Sequence, residues 1–237
     1  MVTALIIAGG VGNRMGQDIP KQFINVYDKP VIIYTLEAFQ NHREIDSIYA
    51  VCLEGWHDIL WAYAKQFGIT KLKEITVGGA SAQESIRNGV MTLKDISDDD
   101  IVVIHDGVRP LVDDEVLSDV IDTCKKHGNA VTAMPYNEQI FVKKDSSTTC
   151  QYIPRDTLMR VSTPQAYKYG KLISSYKRAF KENIGIGPSS YTNTMMVDLG
   201  ETLHFSAGSD RNIKLTTKDN LEIFKAYLKL EKDLWLK

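Results

Sequence analysis

Short apolar runs of strand length alternate with helical patterns up to and beyond residue 130, and this alternation leaves few folds open. Thr3–Ala8 is an apolar run that ends in Gly9-Gly10. Val31–Phe39 reads as a helix behind Pro30, because proline suits the first helical turn, where its missing N–H would find no partner anyway. Ile48–Leu53 reads as a second strand, Ile59–Phe67 as a helix, Glu74–Val77 as a third strand and Ser81–Leu93 as a helix. Ile101–Ile104 is apolar throughout, as a strand covered on both faces must be. Asp113–His127 is a helix that stops at Gly128, and Ala130–Met134 is a fifth strand. The pattern predicts an α/β fold: a Rossmann-like, mostly parallel sheet with helices on both faces.

Regularity breaks between residues 136 and 155. Gln139–Lys143 and Thr148–Tyr152 flank the polar stretch Lys144–Ser147 and read as a hairpin. Such a hairpin would project from the sheet as a β-arm and offer a contact for a homodimer. A helix, a strand and a long terminal helix from Lys218 to about Trp235 are expected after it. No repeat, low-complexity stretch or linker interrupts the chain, so residues 1–237 are expected to form one domain.

Composition narrows the partners. The formal net charge is −2 and no long basic run is present, which argues against nucleic acid, whose backbone demands clustered cations. An anionic ligand must then be held by a few placed cations. Cys52, Cys124 and Cys150 form no CxxC pair and no metal-ligand spacing, a set that suits a reducing cytoplasm. Ala4–Ala8 is too short for the apolar core of a signal peptide, and no stretch reaches the length of a membrane span. His42, His57, His127 and His204 are scattered, and His105 reads as a hydrogen-bonded strand-end residue.

The first strand runs into Gly9-Gly10-Val11-Gly12-Asn13-Arg14-Met15-Gly16, followed by Pro20-Lys21-Gln22. Ligands of open α/β sheets bind outside the carboxyl ends of the strands. Glycines there let backbone N–H groups approach phosphates, and Arg14 and Lys21 can add charge. A dinucleotide loop would need G-x-G-x-x-G, but Gly10, Gly12 and Gly16 leave one residue too many. A P-loop would need Gly-Lys-Ser/Thr, but Gln17 follows Gly16. A structural turn explains the glycines and leaves Arg14 and Pro20-Lys21-Gln22 unexplained.

Gly-Gly-x-Gly-x-Arg-Met followed by Pro-Lys-Gln resembles the nucleotide loop of the methylerythritol-phosphate and ribitol-phosphate cytidylyltransferases. Four further segments, in order, resemble that family: Gly78-Gly79 with Ser85–Gly89, His105–Pro110, Arg155 eight residues before Thr163-Pro164-Gln165, and Asn212–Thr216. The resemblance implies an enzyme that joins CMP from CTP to a small polyol phosphate and releases pyrophosphate, with Mg²⁺ as cofactor. It implies that Ala8, Gly9, Gly10, Gly12, Gly79, Ser85 and Asp106 contact the nucleotide. Arg14, Lys21 and Lys214 would be catalytic, gripping the phosphates. Asp106 would hold the metal, with Asp210 as a weaker second ligand. Arg109, Arg155, Thr163, Ser190 and Lys214 would bind the acceptor.

The chemistry is consistent with those residue types. Transfer at phosphorus needs in-line positioning and cancellation of growing negative charge. The attacking phosphate has a second pKa of roughly 6, so it is ionised near neutrality and no general base is required. Asp106 could instead pair with Arg109 or start a helix, and Lys214 could be a solvated surface lysine. The family's pattern also breaks in places. Ser81-Ala82 stands where an acidic residue and an arginine are usual, so a nucleotide contact is expected to be either lost or replaced, with Gln83 or Arg87 as the candidates. Glu138-Gln139 stands in the arm in place of Asp-Thr. Ser190-Tyr191-Thr192-Asn193-Thr194-Met195-Met196 replaces a Thr-Asp-Asp/Glu-Ala-type segment. The changes fall mostly on the acceptor half, which favours ribitol 5-phosphate over methylerythritol phosphate, with glycerol phosphate as a third acceptor.

Overall fold

A computed structural model of the chain describes residues 1–10, 19–187 and 190–235, the last five as backbone only. The strands are β1 Val2–Ala8, β2 Asn25–Val26, β3 Lys29–Pro30, β4 Ser47–Cys52, β5 Leu72–Val77, β6 Ile101–Asp106, β7 Asn129–Pro135, β8 Ile140–Lys143, β9 Thr149–Ile153, β10 Met159–Lys168 and β11 Phe205–Ala207. The helices are α1 Val31–Asn41, α2 His57–Gln66, α3 Ala82–Thr92, α4 Asp114–His127, α5 Tyr169–Glu182, α6 Thr192–Asp198 and α7 Lys218–Trp235. Lys21–Phe23 and Arg155–Thr157 form single 3₁₀ turns.

One seven-stranded sheet runs in the order β11-β7-β10-β6-β1-β4-β5. β1 pairs parallel with both β4 and β6, and β4 pairs parallel with β5. Side chains alternate across β1. Ala4 and Ile6 pack with Ile32, Leu36 and Phe39 of α1, Leu60 of α2 and Val120 of α4. Leu5 faces the other way, onto Ile86 and Val90 of α3 and the layer of Leu172, Tyr176 and Met195 from α5 and α6. Helices therefore cover both faces, as the sequence predicts. A third, smaller cluster packs Phe224 of α7 against Val31, Val108 and Leu215.

The sequence reading places a helix directly after the arm, whereas the chain first forms β10. β10 inserts between β6 and β7 and is antiparallel to both. Its register shifts between Val161 and Gln165, around the cis Thr163–Pro164 bond. Proline cannot donate to a ladder and is rare in a central strand, which is why the sequence hides this element. The shift releases Thr163 from the ladder, and its hydroxyl accepts a hydrogen bond from the Asp106 N–H at 3.1 Å. The arm is present as the antiparallel β8–β9 pair, with exposed Phe141, Val142, Tyr152 and Ile153.

Candidate active site

The carboxyl ends of β1, β5 and β6 open into one cleft of about 490 Å³. Its wall includes Ala8, Gly9, Gly10, Lys21, Gly79, Ser85, Asp106, Thr163 and Lys214. The folding reason is close approach of three loops. A Cβ on Gly9 would lie 3.3 Å from the Cα of Gly78, and one on Gly107 would lie 3.1 Å from the Cβ of Ala8. Glycine at these points lets the loops after β1, β5 and β6 touch. Gln22 is buried and fastens the first loop, its amide donating to the carbonyls of Ala8 at 2.8 Å and Gly10 at 3.1 Å.

The second loop is fixed from α3. Ser81 caps the helix by accepting from the Glu84 N–H at 3.1 Å, and the Glu84 carboxylate accepts from the Ala80 N–H at 2.7 Å. Ser85 Oγ accepts from the Gly79 N–H at 2.9 Å, so it shapes the loop while facing the cleft. Gln83, one of the two candidates to replace the nucleotide contact, lies outside the cleft wall. It is buried, donating to the Gly185 carbonyl at 3.0 Å and accepting from the Tyr176 hydroxyl at 3.0 Å. Arg87 also lies away from the cleft wall, its guanidinium 4.5 Å from the ring centre of Phe180.

Asp106 is the hub of the acceptor half. Arg109 Nε donates to its Oδ2 at 2.9 Å, and Lys214 Nζ lies 3.1 Å from Oδ1 and from Oδ2. Burial raises the Asp106 carboxyl, but Lys214 and Arg109 outweigh it and hold the group down at about 2. Asp106 is therefore a carboxylate at any ordinary pH. His105 beside it is fully buried, and burial pushes its imidazole down to about 4 against a hydrogen bond to the Arg109 carbonyl. It is neutral and structural, as its place at the strand end implies. Arg109 does not face the cleft. Its second nitrogen, Nη1, donates to the Asn212 carbonyl at 2.7 Å, so it braces Asp106 from behind. Asn212 in turn donates to the Thr163 carbonyl at 2.6 Å. Of the alternatives foreseen, the Asp106–Arg109 pairing occurs, whereas Lys214 belongs to the cleft and not to open surface.

Some expected site residues lie elsewhere. Asp210 is exposed and ion-paired with Arg160 at 2.6 Å, away from the cleft wall, so its geometry does not support a metal role with Asp106. Arg155 sits at the foot of the arm, donating to the Asn137 carbonyl at 3.3 Å, outside the cleft of its own chain. Ser190 is not part of the wall, which its neighbours Tyr191 and Thr192 form instead. Gly12 and Arg14 lie outside the described residues. Among the described residues no group of three His, Cys, Asp or Glu is placed to hold a metal. Asp106 is the one carboxylate lining the cleft among them. That donor set fits Mg²⁺, which takes one or two carboxylates together with phosphate oxygens. Cys52 and Cys124 are buried, and burial raises their thiols to about 11 and about 12.

Comparison with known proteins gives a consistent result. The model of the 2-C-methyl-D-erythritol 4-phosphate cytidylyltransferase family (IspD) matches residues 2–230. A ribitol-5-phosphate cytidylyltransferase of Lacticaseibacillus paracasei is 60% identical over 235 residues, covering 99% of this chain and 100% of that protein. A ribitol-5-phosphate cytidylyltransferase of Vibrio parahaemolyticus is 37% identical, covering 99% and 98%. The crystal structure of 4-diphosphocytidyl-2C-methyl-D-erythritol synthase from Anaerococcus prevotii superposes with a TM-score of 0.82 at 23% identity, covering 96% of each chain, and shares the fold.

Proposed function

Because the chain belongs to the 2-C-methyl-D-erythritol 4-phosphate cytidylyltransferase family, and so is a nucleotidyltransferase, we propose that it transfers CMP from CTP to ribitol 5-phosphate. The observation that carries the acceptor is the 60% identity, over the full length of both chains, to a relative named for ribitol 5-phosphate. The altered segment Ser190–Met196 agrees with it, since two of its residues form the cleft wall.

A phosphate oxygen of the acceptor attacks the α-phosphorus of CTP. The bond to the β-phosphate oxygen breaks, and pyrophosphate leaves with the electron pair. The Gly9-Gly10 loop offers backbone N–H groups to the nucleotide, while Gly78-Gly79, whose own N–H groups are held by the Cys52 carbonyl and Ser85 Oγ, lets the second loop pack closely against the first. Lys21, just past the first loop, supplies positive charge to the triphosphate, and Arg14 is proposed to share that task. Lys214 holds the attacking phosphate, released in part from Asp106 when the second anion enters. Thr163 fixes the backbone of Asp106 and offers its own side chain to the acceptor. Asp106 would hold Mg²⁺, which when bound supplies charge cancellation on the triphosphate.

We also propose a cytoplasmic homodimer. No helix among the described residues is long and apolar enough to cross a membrane. The arm exposes Phe141 by 54% and Tyr152 by 66%, a face that a second copy would cover. Because Arg155 lies outside its own cleft, the acceptor role proposed for it rests on this pairing. Incubation with CTP, ribitol 5-phosphate and Mg²⁺ should yield CDP-ribitol and pyrophosphate by mass spectrometry. Absence of both products would reject the reading.

A further inference from the structure

Tyr191 stands on a fixed backbone with its ring turned to solvent. Its N–H donates to Thr194 Oγ1 at 2.8 Å, that hydroxyl donates back to the Tyr191 carbonyl at 3.0 Å, and the Met195 N–H donates to the same carbonyl at 2.9 Å. The next residue, Thr192, is buried and holds the Tyr176 hydroxyl at 2.7 Å. Two residues meeting the same wall are thus treated oppositely. Thr192 is locked into the protein, while Tyr191 leaves 48% of its surface open and lines the cleft. An aromatic ring that packs into no core and stands on a backbone held in place is suited to cover a ligand.

Its neighbour defines what that ligand is. The ring centre lies 5.9 Å from Lys214 Nζ, the cation that faces the attacking phosphate. The ring therefore offers a flat apolar face next to a phosphate-holding ammonium, with a polar tip beyond it. A linear polyol phosphate has the matching order: phosphate, then a chain whose C–H edges are apolar and whose hydroxyls are polar.

We infer that Tyr191 is a specificity-determining residue, the wall against which the carbon chain of a linear polyol phosphate lies while Lys214 holds its phosphate. This deepens the proposed function and rests on it. The ring carries the contact, and the hydroxyl adds to it at the far end of the chain. A three-carbon acceptor covers less of the ring than a five-carbon one, so the wall discriminates by chain length.

The test uses the full chain and its Tyr191→Ala and Tyr191→Phe variants, with CTP and either ribitol 5-phosphate or glycerol 3-phosphate. Tyr191→Ala should raise KM for ribitol 5-phosphate about tenfold, the scale of losing the burial of a few CH groups. KM for CTP should stay within about twofold, and the preference for ribitol over glycerol phosphate in kcat/KM should shrink by about the same tenfold factor. Tyr191→Phe should stay within about threefold of the parent in every constant. Unchanged KM for ribitol 5-phosphate in the alanine variant overturns the inference. So does an equal rise for CTP, or a phenylalanine variant as impaired as the alanine one. A parent enzyme inactive with ribitol 5-phosphate overturns the proposed function itself, and is read in the same assay before any variant is compared.

Discussion

Asp106→Asn removes one charge and leaves two cations facing each other. Lys214 Nζ lies 3.1 Å from both carboxylate oxygens and Arg109 Nε lies 2.9 Å from one. At an effective dielectric of about 20 each contact is worth about 5 kcal/mol of gross attraction. Burial of the carboxylate offsets most of it. The net is read from the carboxyl's own displacement, from 3.8 to about 2, which corresponds to roughly 2 kcal/mol. The folded value is depressed, so this stabilisation is complete above the ordinary carboxylate value and is lost only as pH falls through about 2. Urea unfolding of parent and variant should therefore differ by roughly 2 kcal/mol, and by the same amount at about pH 6 and about pH 8. Magnesium titration of turnover should also shift to higher concentration in the variant, because one of few metal-binding oxygens is gone. A stability gap below about 0.5 kcal/mol, or one that closes between those two pH values, would refute the view that Asp106 compensates both cations.

His105 is buried with its value at about 4 in place of 6.5, so it contributes roughly 3 kcal/mol that is present above 6.5 and lost as pH falls through 4. Unfolding free energy should decline over that window, and His105→Gln should flatten the decline; an unchanged slope contradicts the assignment. Lys21→Ala should lower kcat by roughly 10²–10³ with an unaltered melting curve, since it removes a preorganised charge next to the transferred phosphorus. A kcat within about threefold of the parent would exclude that role. Arg155→Ala should raise KM for the acceptor roughly ten- to a hundredfold with little change for CTP, because a guanidinium–phosphate pair is charge-assisted. An equal rise for CTP, or a fall in melting temperature alone, would place Arg155 in the structure and not at the acceptor.

The sheet was legible where a strand is apolar on both faces, as in β1 and β6, and where a periodic helix follows it. β10 was not, because Pro164 and its polar neighbours interrupt the apolar run, and its place beside β6 depends on side chains distant in sequence. β11 is three residues long and leaves no pattern to read. The cleft was legible through residues whose backbone or charge must face phosphate: Gly9, Gly10, Gly79, Lys21, Asp106 and Lys214 all meet there. Roles set by packing were not. Arg109 sits in a recognisable motif yet turns to Asp106 and the Asn212 carbonyl. Gln83 has the chemistry of a nucleotide contact and is consumed by Gly185 and Tyr176. The segment Ser190–Met196 marks the changed acceptor side, but only the fold shows that Tyr191 and Thr192, and not Ser190, reach the wall.

An internal competition tests the central claim most directly. The enzyme is given CTP with equal concentrations of ribitol 5-phosphate and 2-C-methyl-D-erythritol 4-phosphate, and the two CDP-polyols are counted by mass at low conversion. Their ratio equals the ratio of kcat/KM values, whatever the individual constants. The account predicts CDP-ribitol in excess by about a hundredfold or more, since sites that read hydroxyls discriminate strongly. A mixture dominated by the methylerythritol product would contradict it.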